Sequence, residues 1–133
     1  MQSESGGLVT QAFEAYARDD IATMMHFIDP DLEWTYLDPS VEDPKPRVCH
    51  GRHELKAMLT RQASRGLRSM LEEVVPHADR VMVVVVTPGL DAYRVTKNDD
   101  RTYNVLTVSE DRIVALHAYR ERSEALAGAG IVE

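Results

Sequence analysis

Two β-rich runs face each other across a short polar turn: Tyr103-Asn104-Val105-Leu106-Thr107-Val108, then Ser109-Glu110-Asp111-Arg112, then Ile113-Val114-Ala115-Leu116-His117-Ala118-Tyr119. Val, Ile, Leu, Thr and Tyr suit a pleated surface, and the intervening segment has the size and polarity of a hairpin connection. Alternation puts Tyr103, Val105 and Thr107 on one side and Asn104, Leu106 and Val108 on the other. On the return run, Val114, Leu116 and Ala118 alternate with Ile113, Ala115, His117 and Tyr119. Apolar residues on both faces require cover on both, which predicts helices on one side and a second copy of the chain on the other.

At 133 residues the chain is one domain. A domain of this size buries about two-thirds of its unfolded surface without metal or disulfides. The 22 acidic against 15 basic residues give a formal charge of -7. That sign argues against nucleic acid as a partner, because phosphates demand a basic face. A single cysteine, Cys49, excludes an internal disulfide, and no amino-terminal run resembles a signal peptide, so a reducing cytoplasmic setting is expected. Val81 to Val86 is the longest apolar stretch and is far too short to cross a bilayer.

Leu8, Ala12, Phe13, Tyr16 and Ala17 recur at helical spacing, predicting an amphipathic first helix. Asp19 and Asp20 break it and can cap a second short helix carrying Ile21, Met24, Met25 and Ile28, stopped before Pro30. Asp31 to Leu37 alternates as a short strand, and Pro39, Pro44 and Pro46 make 38–47 a loop. Gly51 and Gly66 bracket a third helix with Leu55, Met58, Leu59 and Gln62 on one face. Strands over 67–75 and 80–87 follow, then an irregular stretch leading into the hairpin. Helices first and antiparallel strands afterwards argue an α+β fold rather than a parallel α/β one. No glycine-rich phosphate loop follows any strand.

The helical opening with Phe13 and Tyr16, the Asp-Pro-Asp-Leu-Glu-Trp run from Asp29 to Trp34, Gly51 opening a helix, and the ending from Val108 through Tyr119 to Ala125-Leu126 resemble the SnoaL-like branch of the nuclear transport factor 2-like superfamily. The resemblance covers nearly the whole chain. It implies a cone: a curved antiparallel sheet wrapped around a long amino-terminal helix, three helices on the concave side, an apolar pocket, and commonly a homodimer. Members include ketosteroid isomerases, polyketide cyclases, dehydratases and epoxide hydrolases beside non-enzymatic binding proteins, so the fold alone does not decide activity.

The isomerase relatives use a carboxylate base and an oxyanion hole made by a tyrosine and a protonated aspartate. By that resemblance the base position falls on Asp38, before Pro39, or on Tyr36 if the alignment runs ungapped from Asp31. The second aspartate's position falls near Asn104, whose amide can still donate to an oxyanion. The oxyanion tyrosine's position lies nearest Ala12 or Phe13, one turn from Tyr16. These departures argue against a literal steroid isomerase.

Each candidate also has a structural reading. Tyr16 either packs or reaches the pocket, Trp34 either walls it or fills core, and Asp38 is either a solvated turn carboxylate or a base raised by burial. Asn104 is more telling, since an amide inside an apolar strand needs either a ligand or a structural partner. The register of the relatives points Leu116, Ala118 and Arg120 into the cone and His117 toward the dimer side. Arg120 then either binds an anionic group or pairs with Glu121 or Glu124. Cys49, His50 and His53 lack a fourth ligand and straddle a helix start, so no metal is expected.

The reading that follows is cofactor-independent acid–base chemistry on a small apolar molecule, cyclic or carbonyl-bearing. Asp38 is the base, Tyr16 and Asn104 stabilise an oxyanion, and Trp34, Tyr36, Met82, Leu106, Leu116 and Arg120 line the pocket. A non-catalytic carrier or dimeric accessory module is the alternative.

Overall fold

Val9, Ala12, Phe13 and Tyr16 share one stripe of a helix and are all buried, which lays that helix against a sheet. The computed structural model describes residues 4–36, 47–64, 66, 70–86, 101–119 and 121–131. Helix α1 spans Glu4–Ala17 and ends at Asp19 in the left-handed region, φ 66°. Asp20 then caps α2 (Ile21–Met25), accepting from the Thr23 amide at 3.2 Å and the Thr23 hydroxyl at 2.6 Å. Ile28, expected at the end of that helix, instead begins β1 (Ile28–Tyr36). Pro30 is therefore inside a strand. It lies where the pairing of β1 with its neighbour slips, between Ile28 and Glu33, and so costs no ladder donor.

Strand β2 (Arg47–His50) and helix α3 (Gly51–Ser64) follow. Gly51 has φ 83°, and a Cβ there would meet the Pro30 carbonyl oxygen at 2.9 Å, so the junction requires glycine. Glu54 reaches back to the His50 amide at 2.9 Å, and Arg52 Nε donates to the Ile28 carbonyl at 2.6 Å. These two bonds fix α3 on β1 and β2. Strands β3 (Met70–His77), β4 (Arg80–Val86), β5 (Arg101–Ser109) and β6 (Arg112–Tyr119) complete the sheet, and α4 (Arg122–Gly128) follows. The expected hairpin is β5–β6, its turn carried by Glu110 and Asp111 at φ 51° and 62°, the backbone of a type I′ connection.

The sheet runs in the order β2-β1-β6-β5-β4-β3 and curves as a single open sheet of an α+β fold. One pairing is parallel, β1 with β6, where an antiparallel set was expected; the remaining pairs are antiparallel. A bulge between Thr107 and Val108 on β5 and their partners on β6 pairs Ala115 with Thr107 but Ile113 with Val108. Ile113 thereby joins the face of Leu116, opposite to the parity that plain alternation assigned it.

Helices α1, α2 and α3 share one core with Leu32, Trp34, Cys49, Val81, Val83, Val85, Leu106, Ile113 and Leu116, which is the concave side. The other side carries a second cluster: Met82, Val84 and Val105 against Ala125, Leu126 and Ala129 of the α4 segment. The chain's own last helix thus covers much of the face that the sequence had assigned to a second copy. Edge strand β3 is blunted against further pairing by Pro76, two glutamates and a bulge between Leu71 and Glu73. No described helix is long and apolar enough to cross a membrane.

Candidate functional site

Registers across the sheet give two neighbouring rows on the concave side. One runs Cys49, Trp34, Leu116, Leu106, Val81, and the next runs Ala118, Asn104, Val83, Val74. Tyr16 of α1 belongs to the same core, and Tyr36 packs against it from β1. Six residues singled out in the sequence, Tyr16, Trp34, Tyr36, Asn104, Leu106 and Leu116, therefore share one side of the sheet. Met82 does not. It pairs with Val105 and packs toward α4, because β4 is apolar at every position from Val81 to Val86 and alternation gives no sign of its facing. Asp38 and Arg120 lie outside the described residues.

Asn104 is 8% exposed and is the one buried polar or charged residue among those described. Its strand neighbours on this side are Val83 and Ala118, neither of which has a polar side chain. Among the described residues nothing hydrogen-bonds its side-chain amide, although its backbone is held in the ladder. An amide carries one acceptor and two donors, and leaving a buried polar group unmatched costs about 1–3 kcal/mol. A fold that keeps such a group in an apolar row gains nothing in stability from it.

A cavity of about 350 Å³ opens between α1 and β3, lined by Thr10, Phe13, Glu14, Ala17 and the strand from Met70 to Val74. It is on the concave side, since Val74 pairs with Val83, which pairs with Asn104. Two interstrand steps put Val74 about 10 Å from Asn104. Phe13 and Ala17 belong to the α1 stripe legible in the sequence, but none of the lining residues was expected in the pocket; the signal available was the i, i+3, i+4, i+7 spacing of Thr10, Phe13, Glu14 and Ala17. Two carboxylates of that strand segment are engaged in bidentate pairs, that of Glu73 on the α4 side, where it stands opposite Val84. Glu72 accepts from Arg101 at 2.6 and 2.7 Å, and Glu73 accepts from Arg122 at 2.7 and 2.8 Å. Those guanidinium groups hold both carboxyls below their ordinary range.

Cys49 points into the core and burial raises its thiol pKa, with Glu54 adding to the effect. His50 and His53 are exposed. Among the described residues no three His, Cys, Asp or Glu side chains come together as a metal would need. His117 faces away from the concave side, paired with Val105, and stacks edge-on against Tyr119 with ring centres 4.7 Å apart.

Comparisons with known proteins agree on the fold. IdmH, a putative polyketide cyclase from Streptomyces antibioticus, is 18% identical with a TM-score of 0.65, over 97% of this chain and 100% of its own. An NTF2-like protein of unknown function from Mesorhizobium loti is 20% identical with a TM-score of 0.68, over 89% and 91%. A putative polyketide cyclase from Sinorhizobium meliloti is 15% identical with a TM-score of 0.65, over 85% and 94%. No curated protein matches the sequence. The family model of the SnoaL-like domain matches residues 9–116, and the chain belongs to that family.

Proposed function

We propose that the concave side of the sheet, between α1 and the row of Asn104, binds a small apolar molecule bearing a carbonyl group. The observation that carries this reading is the buried amide of Asn104, unmatched among the described residues in a row of Val74, Val83 and Ala118. A ligand oxygen reaching that amide would satisfy it, and Trp34 and Leu116 in the adjacent row would hold the apolar body. Chemistry at such a site would be isomerisation, cyclisation, dehydration or hydrolysis without a cofactor. Asp38 would remove a proton next to the carbonyl while Asn104 and Tyr16 stabilise the resulting enolate. The similarity to proteins described as putative polyketide cyclases supports a carbonyl-bearing substrate.

A second reading is a non-catalytic carrier. It is favoured by the absence of any buried carboxylate among the described residues. One experiment separates the two: incubate the protein with 2-tetralone in heavy water and follow loss of the α-proton signals by NMR. An enzyme accelerates exchange, and Asp38→Asn removes the acceleration. Saturable quenching of Trp34 fluorescence without accelerated exchange identifies a carrier, and neither effect removes both readings.

Self-association is part of the same proposal. Helix α4 covers the β4–β5 part of the convex face, while Val48, 43% exposed, lies near Thr35, His117 and Ala115 on the remainder. A second copy would cover that remainder, in a cytoplasmic homodimer. Sedimentation of wild type against Ala115→Glu tests it, with a dimer expected for the first and a monomer for the second.

A further inference from the structure

The chemistry of Asn104 narrows the ligand class beyond an apolar carbonyl compound, on the footing that the concave site proposed above is real. A side-chain amide is two-sided: its NH2 group donates and its oxygen accepts. A simple ketone placed against Asn104 would satisfy the NH2 group and leave the amide oxygen buried and unmatched beside Val83 and Ala118. A ligand that carries a donor next to its carbonyl satisfies both ends at once. The surroundings also bear on charge. Among the described residues, the buried side chains that share this side of the sheet include Trp34, Val81, Val83, Leu106 and Leu116, with Tyr16 above them, and none in this core carries a formal charge. An anion entering there would lose its hydration with no buried cation described to replace it, in a chain already at -7.

The geometry points to a neutral ligand that presents a carbonyl and an adjacent N–H or O–H as a pair, as a secondary lactam, a primary carboxamide or an enolised hydroxy-carbonyl does, with Asn104 as the residue that reads the pair. The amide then makes two antiparallel hydrogen bonds to one edge of the ligand, and the flat apolar remainder lies over the Trp34 and Leu116 row. The fit is selective because the discarded alternative leaves a buried acceptor unmade, which is worth roughly tenfold or more in affinity.

Calorimetric titration of the full chain with three compounds of one shape tests this. Isocarbostyril has the N–H beside its carbonyl, N-methylisocarbostyril keeps only the carbonyl, and naphthoate is an anion. The expected order is isocarbostyril tighter than the N-methyl compound by about tenfold or more, with naphthoate weaker than both. Asn104→Leu should bring the first two to a common weak affinity, because the pair-reading group is gone while the apolar wall remains. Equal affinities in the wild type, a preference that survives in Asn104→Leu, or tighter binding of naphthoate, as an inward Arg120 would give, overturns the neutral-pair inference and leaves the concave pocket standing. Failure of all three to bind the wild type overturns the pocket itself, and this inference with it.

Discussion

The two sides of the sheet treat their polar groups in opposite ways. On the α4 side polar groups are engaged: Arg122 grips Glu73 with two bonds, Arg80 donates to the Gly128 carbonyl at 2.8 Å, and the His117 ring stacks on Tyr119. In front, on the α1 side, Asn104, the one buried polar or charged residue among those described, stands with no described partner for its side chain. Matched contacts are what a stabilising surface accumulates, whereas an unmatched amide in a core is a cost that selection for stability would remove. The difference teaches that α4 closes the sheet, whereas Asn104 is the group whose partner the proposed ligand would supply.

Breaking the front core has the largest expected effect. Leu106 is fully buried between Val81 and Leu116, so Leu106→Ala should lower stability by about 2–5 kcal/mol. Urea denaturation measures it, and a loss under about 1 kcal/mol would mean that the α1-side core is loosely packed.

Breaking the back closure comes next. A Cβ on Gly128 would fall within 2.7 Å of the Tyr119 ring, so Gly128→Val should overpack the seat of α4 and cost about 1–3 kcal/mol. If α4 only closes the back, ligand affinity on the front should change less than threefold in the same variant, as read by Trp34 fluorescence.

Acid probes the same closure more gently. The Arg122 guanidinium lowers the Glu73 pKa from its ordinary 4.5. A carboxyl with a lowered folded-state value adds stability that is complete above pH 4.5 and is lost as pH falls through that lowered value. Because both side chains are about two-fifths exposed, at 42% and 38%, the contribution should be at most about 1 kcal/mol. Glu73→Gln should flatten the fall in denaturation midpoint below pH 4.5 relative to wild type. An unchanged acid limb would show that the pair contributes nothing to holding α4.

Legibility in the sequence followed the range of the forces involved. Local patterns were readable: the α1 stripe, the Asp20 cap, the glycines bracketing α3, and the β5–β6 hairpin with its polar turn. The facing of Asn104 with Leu106 was readable too, since parity within one strand survives any change of partner. Features set by distant partners were not. Strand β2 is four residues long and exists through its pairing with β1, and no local signal marks β1 as parallel to β6. Pro30 read as a helix stop when it sits in a strand irregularity, and the apolar run of β4 concealed that Met82 faces α4. Helix α4, alanine-rich and seven residues long, offered too short a period to detect. As for the candidate site, Tyr16, Trp34, Tyr36, Leu106 and Leu116 lie on the side of Asn104, and their roles belong to the proposal.

The most direct test of the central claim is the denaturant midpoint of Asn104→Leu against wild type without ligand. Leucine is close in shape to asparagine and needs no partner, so removing an unmatched amide should leave stability unchanged or raise it by up to about 1 kcal/mol. A loss of about 1–3 kcal/mol would show instead that the amide holds the fold together through bonds of its own, and the distinction between the two sides of the sheet would fall.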